Sequence, residues 1–191
     1  MQSKFFAFLS RMKYIGRWGL MRSTVKENIA EHSLEVARVA HALAVIENKY
    51  YGGSFDPYKV GMAGAYHETG EVITGDLPTP IKYFSPEIAS AYKKVEKSAE
   101  DRILATLPPE ITEDFVCLVR PTDEERKLVK CADKLTAYIK CEEEISAGNT
   151  EFTRAAASIY NELCGYEYKS VSYFLETFMP AFRLTLDELS E

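Results

Sequence analysis

No two of the four cysteines, Cys117, Cys131, Cys141 and Cys164, form a CxxC pair. That spacing excludes a zinc ribbon. A disulfide framework does not suit a chain of 191 residues whose start lacks a signal, so free buried thiols are expected. A basic stripe is also missing. The net charge is −6, with acids and bases interleaved. A groove for a nucleic-acid polymer, which must replace phosphate counterions, is therefore excluded. One small anion is not, because a metal ion and a single Arg can supply local positive charge.

The opening MQSKFFAFLSRMKY has neither a long apolar core nor a small-residue cleavage site. The most apolar run, VARVAHALAVI at 36–46, contains Arg38 and His41 and is too short to span a bilayer. A cytoplasmic protein without a membrane partner is expected. Repeats and low-complexity linkers are absent, so residues 1–191 read as one domain, long enough to bury a core.

No segment alternates as a strand does. Apolar residues recur at three and four, as in Val36, Val39, Ala40 and Leu43, or Leu128, Ala132, Leu135 and Ile139. Helix starts are marked by Asp56-Pro57 and Ser85-Pro86, and by the capping boxes Thr122 to Glu125 and Thr185 to Glu188. These patterns predict an all-α, compact helical bundle. Its helices lie near 3–14, 28–49, 57–74, 86–106, 110–118, 123–147, 151–164 and 167–178, with a short one near 186. The run KKVEKSAEDR at 93–102 reads as a solvated helix face.

Histidine is scarce, with three in the chain. His32 and His41 are nine positions apart in one expected helix, about 900° of turn, so they face opposite ways. His41, in VAHALAV, reads as a hydrogen-bonded core or interface histidine. His32 lies at a polar helix start among Glu27, Asn28 and Glu31. Through KVGMAGAYHETGEV, a continuous helix would set Val60, Gly64, His67 and Glu71 on one stripe, with Glu68 one step round. Small neighbours there admit a close backbone. A His and two carboxylates facing such a neighbour would need a partner, and a divalent cation would serve, although a solvated surface pair gives the same spacing. Asp133 is mid-helix in KLVKCADKLTAYIKC, where Asp is a poor helix former, and its spacing fits an exposed Asp beside Lys134.

Taken together, Arg17-Trp18, ENIAEHS, YHETGEVITGDLPTP and KCADKLTAYIKC resemble the HD-domain phosphohydrolases, more narrowly the YfbR-type 5′-deoxynucleotidases, over effectively the whole chain. The resemblance implies a helical domain, usually a homodimer, that hydrolyses deoxyribonucleoside 5′-monophosphates with one divalent cation, cobalt or manganese. It implies His32, His67, Glu68 and Asp133 as metal ligands, with His32, Glu68 and Asp133 also facing the substrate. Arg17 would orient the phosphate and Glu71 would act as general acid/base. Trp18, Asp76, Leu77, Pro78 and Thr79 would line the sugar and base pocket. The sequence departs from the family at position 68. The motif has Asp there and this chain has Glu68, which moves the carboxylate by about an ångström. Two rival readings accompany the departure: another HD-type nucleotide phosphohydrolase, and a non-catalytic nucleotide-binding domain.

Overall fold

Capping explains why the long helices start where they do. In the computed structural model, which describes residues 2–190, Asn28 accepts from Ala30 and Glu31 while the Glu31 side chain reaches back to its backbone. Asp56 and Ser85 each cap a helix with Pro at its first position, and Thr122 pairs with Glu125 in a capping box. Ten α-helices result among the described residues: α1 Phe5–Leu9, α2 Ile29–Tyr50, α3 Pro57–Tyr66, α4 Glu71–Thr74, α5 Thr79–Lys82, α6 Pro86–Leu104, α7 Thr112–Val119, α8 Asp123–Ser146, α9 Thr153–Cys164 and α10 Lys169–Thr177. Among the same residues no strand forms, and Gly16 and Asn28 make one isolated bridge.

The main core lies between α2, α3 and α8. It contains the stripes read from sequence, Val36, Val39, Ala40 and Leu43 against Leu128, Ala132, Leu135 and Ile139. Each such side chain contributes roughly 1.5–3 kcal/mol of burial. Close approach of α2 and α3 depends on glycine. A Cβ on Gly64 would stand 2.9 Å from Ala37 Cα, and one on Gly61 would stand 3.1 Å from His41 Cβ. A separate cluster of Cys141, Phe152 and Ala156 packs beneath Trp18 and Met21, seating the loop before α2.

Four expectations, two about helices, one about His41 and one about the thiols, need correction. The helix expected over 57–74 is broken. The Gly64 carbonyl accepts from His67 Nδ1 at 2.7 Å, and the Tyr66 carbonyl accepts from Thr69 Oγ1 at 2.6 Å. Side chains thus take carbonyls that the helical ladder would use, and the chain turns at 67–70 before α4. The first expected helix likewise ends at Leu9, followed by a 3₁₀ turn at Met12–Tyr14. His41 is half-buried against Tyr58, its ring 5.5 Å away and without a hydrogen bond among the described residues. As for the thiols, Cys131 and Cys141 are buried as expected, whereas Cys117 and Cys164 are exposed.

Candidate active site

Three separate parts of the chain meet at one point. His32 comes from the first turn of α2, His67 and Glu68 from the turn after α3, and Asp133 from the middle of α8. One ligand atom from each lies within 4.8 Å of all the others. Asp133 is therefore not the exposed neighbour of Lys134 that its spacing suggested. Its Oδ1 stands 3.0 Å from His32 Nε2, and Lys134 pairs with Glu162 instead. His32 and His41 do face apart along the unbroken α2.

The proton inventory tests whether a cation fits. A carbonyl cannot donate, so the bond to Gly64 puts a proton on His67 Nδ1. The other ring nitrogen, Nε2, is buried without a hydrogen-bond partner among the described residues and lies 3.1 Å from Glu68 Oε1. Two lone pairs face each other unless a proton or a cation sits between them. Two imidazoles and two carboxylates form a mixed N/O set that suits a divalent first-row ion. The residues fit the group. Glu68, one methylene longer than the family's Asp, still brings its oxygen into the cluster.

Electrostatics show how strongly these groups depend on one another's charge. Burial lowers the His32 pKa despite its bond to Asp133. Burial works the same way on His67, but the adjacent Glu68 carboxylate outweighs it and raises the value. Glu68 and Asp133 are held below the ordinary carboxylate range, since the imidazoles overcome the cost of burying their charge. Glu71 behaves in the opposite way. Burial, then the charges of Glu68 and Asp76, push it up to about 10.

A cleft of ≈ 450 Å³ opens above the cluster. Arg17, Trp18, Glu68, Glu71, Asp76, Leu77, Pro78, Thr79 and Asp133 all line it, so the structure brings the expected site residues together. His32 and His67 are exceptions, since their rings reach the cluster without lining the cleft. Gly75, at φ +74, ends α4 and turns the chain into the Asp76–Thr79 wall. Trp18 has φ +59, a left-handed conformation rare for a bulky residue, and its ring packs edge-on to Phe152.

Sequence reasoning missed several cleft residues. Lys82 sits 3.9 Å from Glu71 and 2.8 Å from Glu96, and Ser158, Ile159 and Glu162 of α9 form the far wall. Amphipathic spacing gives no signal for either. The role of Glu27 was also missed. It accepts from Arg17 at 3.0 Å and from Trp18 Nε1 at 2.8 Å.

Comparison with known proteins identifies the family. The family model described as 5′-deoxynucleotidase YfbR-like matches residues 4–182. The chain belongs to the YfbR-like family. A relative from Vibrio cholerae named 5′-deoxynucleotidase is 54% identical over 192 residues, covering 99% of each chain. Among solved structures, an HD-domain phosphohydrolase from Listeria innocua superposes with a TM-score of 0.80 at 24% identity, covering 98% of this chain and 89% of its own. A cyanophage S-2L HD phosphohydrolase bound to dA and one catalytic Zn²⁺ shares the fold. Its TM-score is 0.62 at 19% identity, over 94% of this chain and 99% of that one. The YfbR-like chain thus has the all-α HD-domain architecture expected from its sequence.

Proposed function

We propose that the protein is a metal-dependent 5′-deoxynucleotidase, hydrolysing deoxyribonucleoside 5′-monophosphates to deoxynucleoside and phosphate. The observation that carries this reading is the buried, unpartnered His67 Nε2 in a four-ligand cluster that opens onto a cleft holding Arg17 and Glu71. The V. cholerae relative, alike along its whole length, carries that activity in its name. The cyanophage protein of the same fold holds a deoxynucleoside with one zinc ion.

In this reading His32, His67, Glu68 and Asp133 hold the cation. Bound there, it would neutralise phosphate charge and lower the pKa of a water molecule. Phosphate monoesters hydrolyse extremely slowly in water, so charge placement matters most. Arg17 forks onto phosphate oxygens at the cleft wall. Glu71, protonated, gives its proton to the departing 5′ oxygen as water's oxygen bonds phosphorus and the P–O5′ bond breaks, and its carboxylate then takes up the proton that the attacking water sheds. Trp18 and the Asp76–Thr79 wall line the sugar and base. A non-catalytic binding domain would have no use for a protonated carboxyl beside the cluster.

Cobalt, manganese and zinc all suit the donor set. The chain works as one domain, as a homodimer by family resemblance, and in the cytoplasm. No described helix is long and apolar enough to cross a membrane. Metal analysis joined to a phosphate-release screen over deoxy- and ribonucleoside monophosphates tests the function. Release from the deoxy series should stop with chelator and return with added Co²⁺, Mn²⁺ or Zn²⁺. A folded, metal-loaded chain that frees phosphate from no deoxynucleotide would refute it.

A further inference from the structure

Glu27 has no part in the reaction described above, yet it touches three of the residues that do. Its Oε2 accepts from Arg17 Nη1 at 3.0 Å and from Trp18 Nε1 at 2.8 Å, and its Oε1 lies 3.7 Å from His32 Nδ1. Its backbone carbonyl accepts the Arg17 N–H at 2.9 Å. The side chain is 14% exposed and does not line the cleft, so it acts behind the substrate surface.

Proton positions show what this carboxylate can do. A guanidinium only donates, so His32 Nδ1, 2.7 Å from Arg17 Nη1, must accept. Neutral His32 then carries its proton on Nε2 and gives it to Asp133 Oδ1 at 3.0 Å. That tautomer cannot ligate a cation in the cluster, which needs the Nε2 lone pair. Ligation requires the proton on Nδ1 instead, with the ring neutral throughout. Nδ1–H would then confront Arg17 Nη1–H, donor against donor. Two acceptors lie near Nδ1: Thr136 Oγ1 at 3.5 Å and Glu27 Oε1 at 3.7 Å. Only Glu27 is charged, and it also holds Arg17.

We propose that Glu27 is a positioning residue that couples occupancy of the metal cluster to the placement of Arg17 and Trp18. Loading the cluster turns Nδ1–H toward Glu27 Oε1. Arg17 releases the imidazole, stays on Oε2, and has its remaining donors free for phosphate. The inference rests on the hydrolase reading and adds an order to it, with the cation first and the phosphate anchor completed in response. By linkage, filling the phosphate site also tightens the cation. Metal-bound histidines commonly pass their second N–H to a carboxylate, with 10–100-fold effects on affinity when that partner is lost.

A double-mutant cycle on the metal-stripped full chain tests the coupling, with Mn²⁺ affinity read from the EPR signal of free ion. Glu27→Gln keeps the size but cannot satisfy both His32 and Arg17, and should weaken Mn²⁺ roughly 10-fold or more. In the Arg17→Ala background the competing donor is gone, so the same change should cost about 3-fold or less. Equal losses in the two backgrounds would denote a plain charge effect and overturn the proposal. A folded Glu27→Gln protein with parental affinity would overturn it too. Trp18, the sole tryptophan, gives a second readout. Zn²⁺ alone should shift its emission in the parent and in Glu27→Asp, which keeps the carboxylate, but not in Glu27→Gln. Should Glu27→Gln fail to fold, the parent decides. Metal binding that leaves Trp18 emission unchanged sinks the coupling alone, whereas a parent that binds neither ion sinks the hydrolase reading with it.

Discussion

Among single residues, Glu71 carries the most chemical information. Its carboxyl is buried, faces the charges of Glu68 and Asp76, and has Lys82 at 3.9 Å, too far to compensate fully. Folding therefore favours its protonated form. With an unfolded value near 4.5 and a folded value pushed to about 10, the native state holds a proton that the unfolded chain has lost. The stability this gives is complete below pH 4.5 and drains away as pH rises toward 10. Glu71→Gln mimics the protonated form. Metal-free, it should melt above the parent by a margin that grows from pH 5 to pH 9, at about 2–4 °C per kcal/mol. A margin that is flat or shrinks with pH would contradict the burial argument. The same variant should lose about 100-fold or more in kcat with parental metal content, because it cannot pass a proton yet is not a ligand. Missing metal in Glu71→Gln would show that its carboxylate coordinates the ion.

Elements bring the site together through one close contact and one interruption. Gly64 lets α3 lie against Ala37, and the turn just after it aims His67 and Glu68 at α8. Gly64→Ala must push two backbones apart, which costs roughly 1–3 kcal/mol, and the displaced turn should also bind metal more weakly. Calorimetry with metal analysis checks both, and a stable, fully loaded Gly64→Ala protein would argue that the approach can give. His41→Gln is the control on the same interface. Its ring points away from His32 along the continuous α2, so metal content should stay at the parental level. This scale also divides what the sequence revealed from what it hid. Asp56, Ser85 and Thr122 act within three residues of their partners, and the helix starts expected from these local signals appear where the sequence put them. The break at 67–70 stayed hidden because apolar periodicity continues through it. It depends on which carbonyl a His and a Thr side chain choose. Spacing alone set Asp133 beside Lys134 as an exposed residue, because its partner, His32, lies 101 positions away.

Across the whole molecule, α8 ties the cluster to the loop that carries Arg17 and Trp18. Asp133 sits midway along it, and two turns further on Lys140 and Glu144 form a buried ion pair. Glu144 accepts from Thr24 N at 2.8 Å, Thr24 Oγ1 at 2.7 Å, Val25 N at 3.2 Å and Asn149 Nδ2 at 2.8 Å, while Lys140 donates to the Val25 carbonyl at 2.7 Å. Thr24 and Val25 lie between Trp18 and Glu27, so this anchor fixes the segment on which both cleft residues and their carboxylate ride. Sequence spacing could not reveal it, because an i,i+4 Lys-Glu pair usually marks a solvated face. Burial opposes ionisation of Glu144, but Lys140 and the donors around it hold its carboxyl far below the usual range. Its stabilising effect is therefore present above the unfolded value of 4.5 and is lost as pH falls toward the folded one. Glu144→Gln should cost about 3 kcal/mol at pH 7, since it leaves Lys140 buried without its counter-charge, and its stability should fall less steeply below pH 4.5 than the parent's. Because the four metal ligands do not touch this anchor, the variant should keep its metal while KM for deoxynucleotides rises. Parental KM, or loss of metal with KM unchanged, would separate the anchor from the cleft.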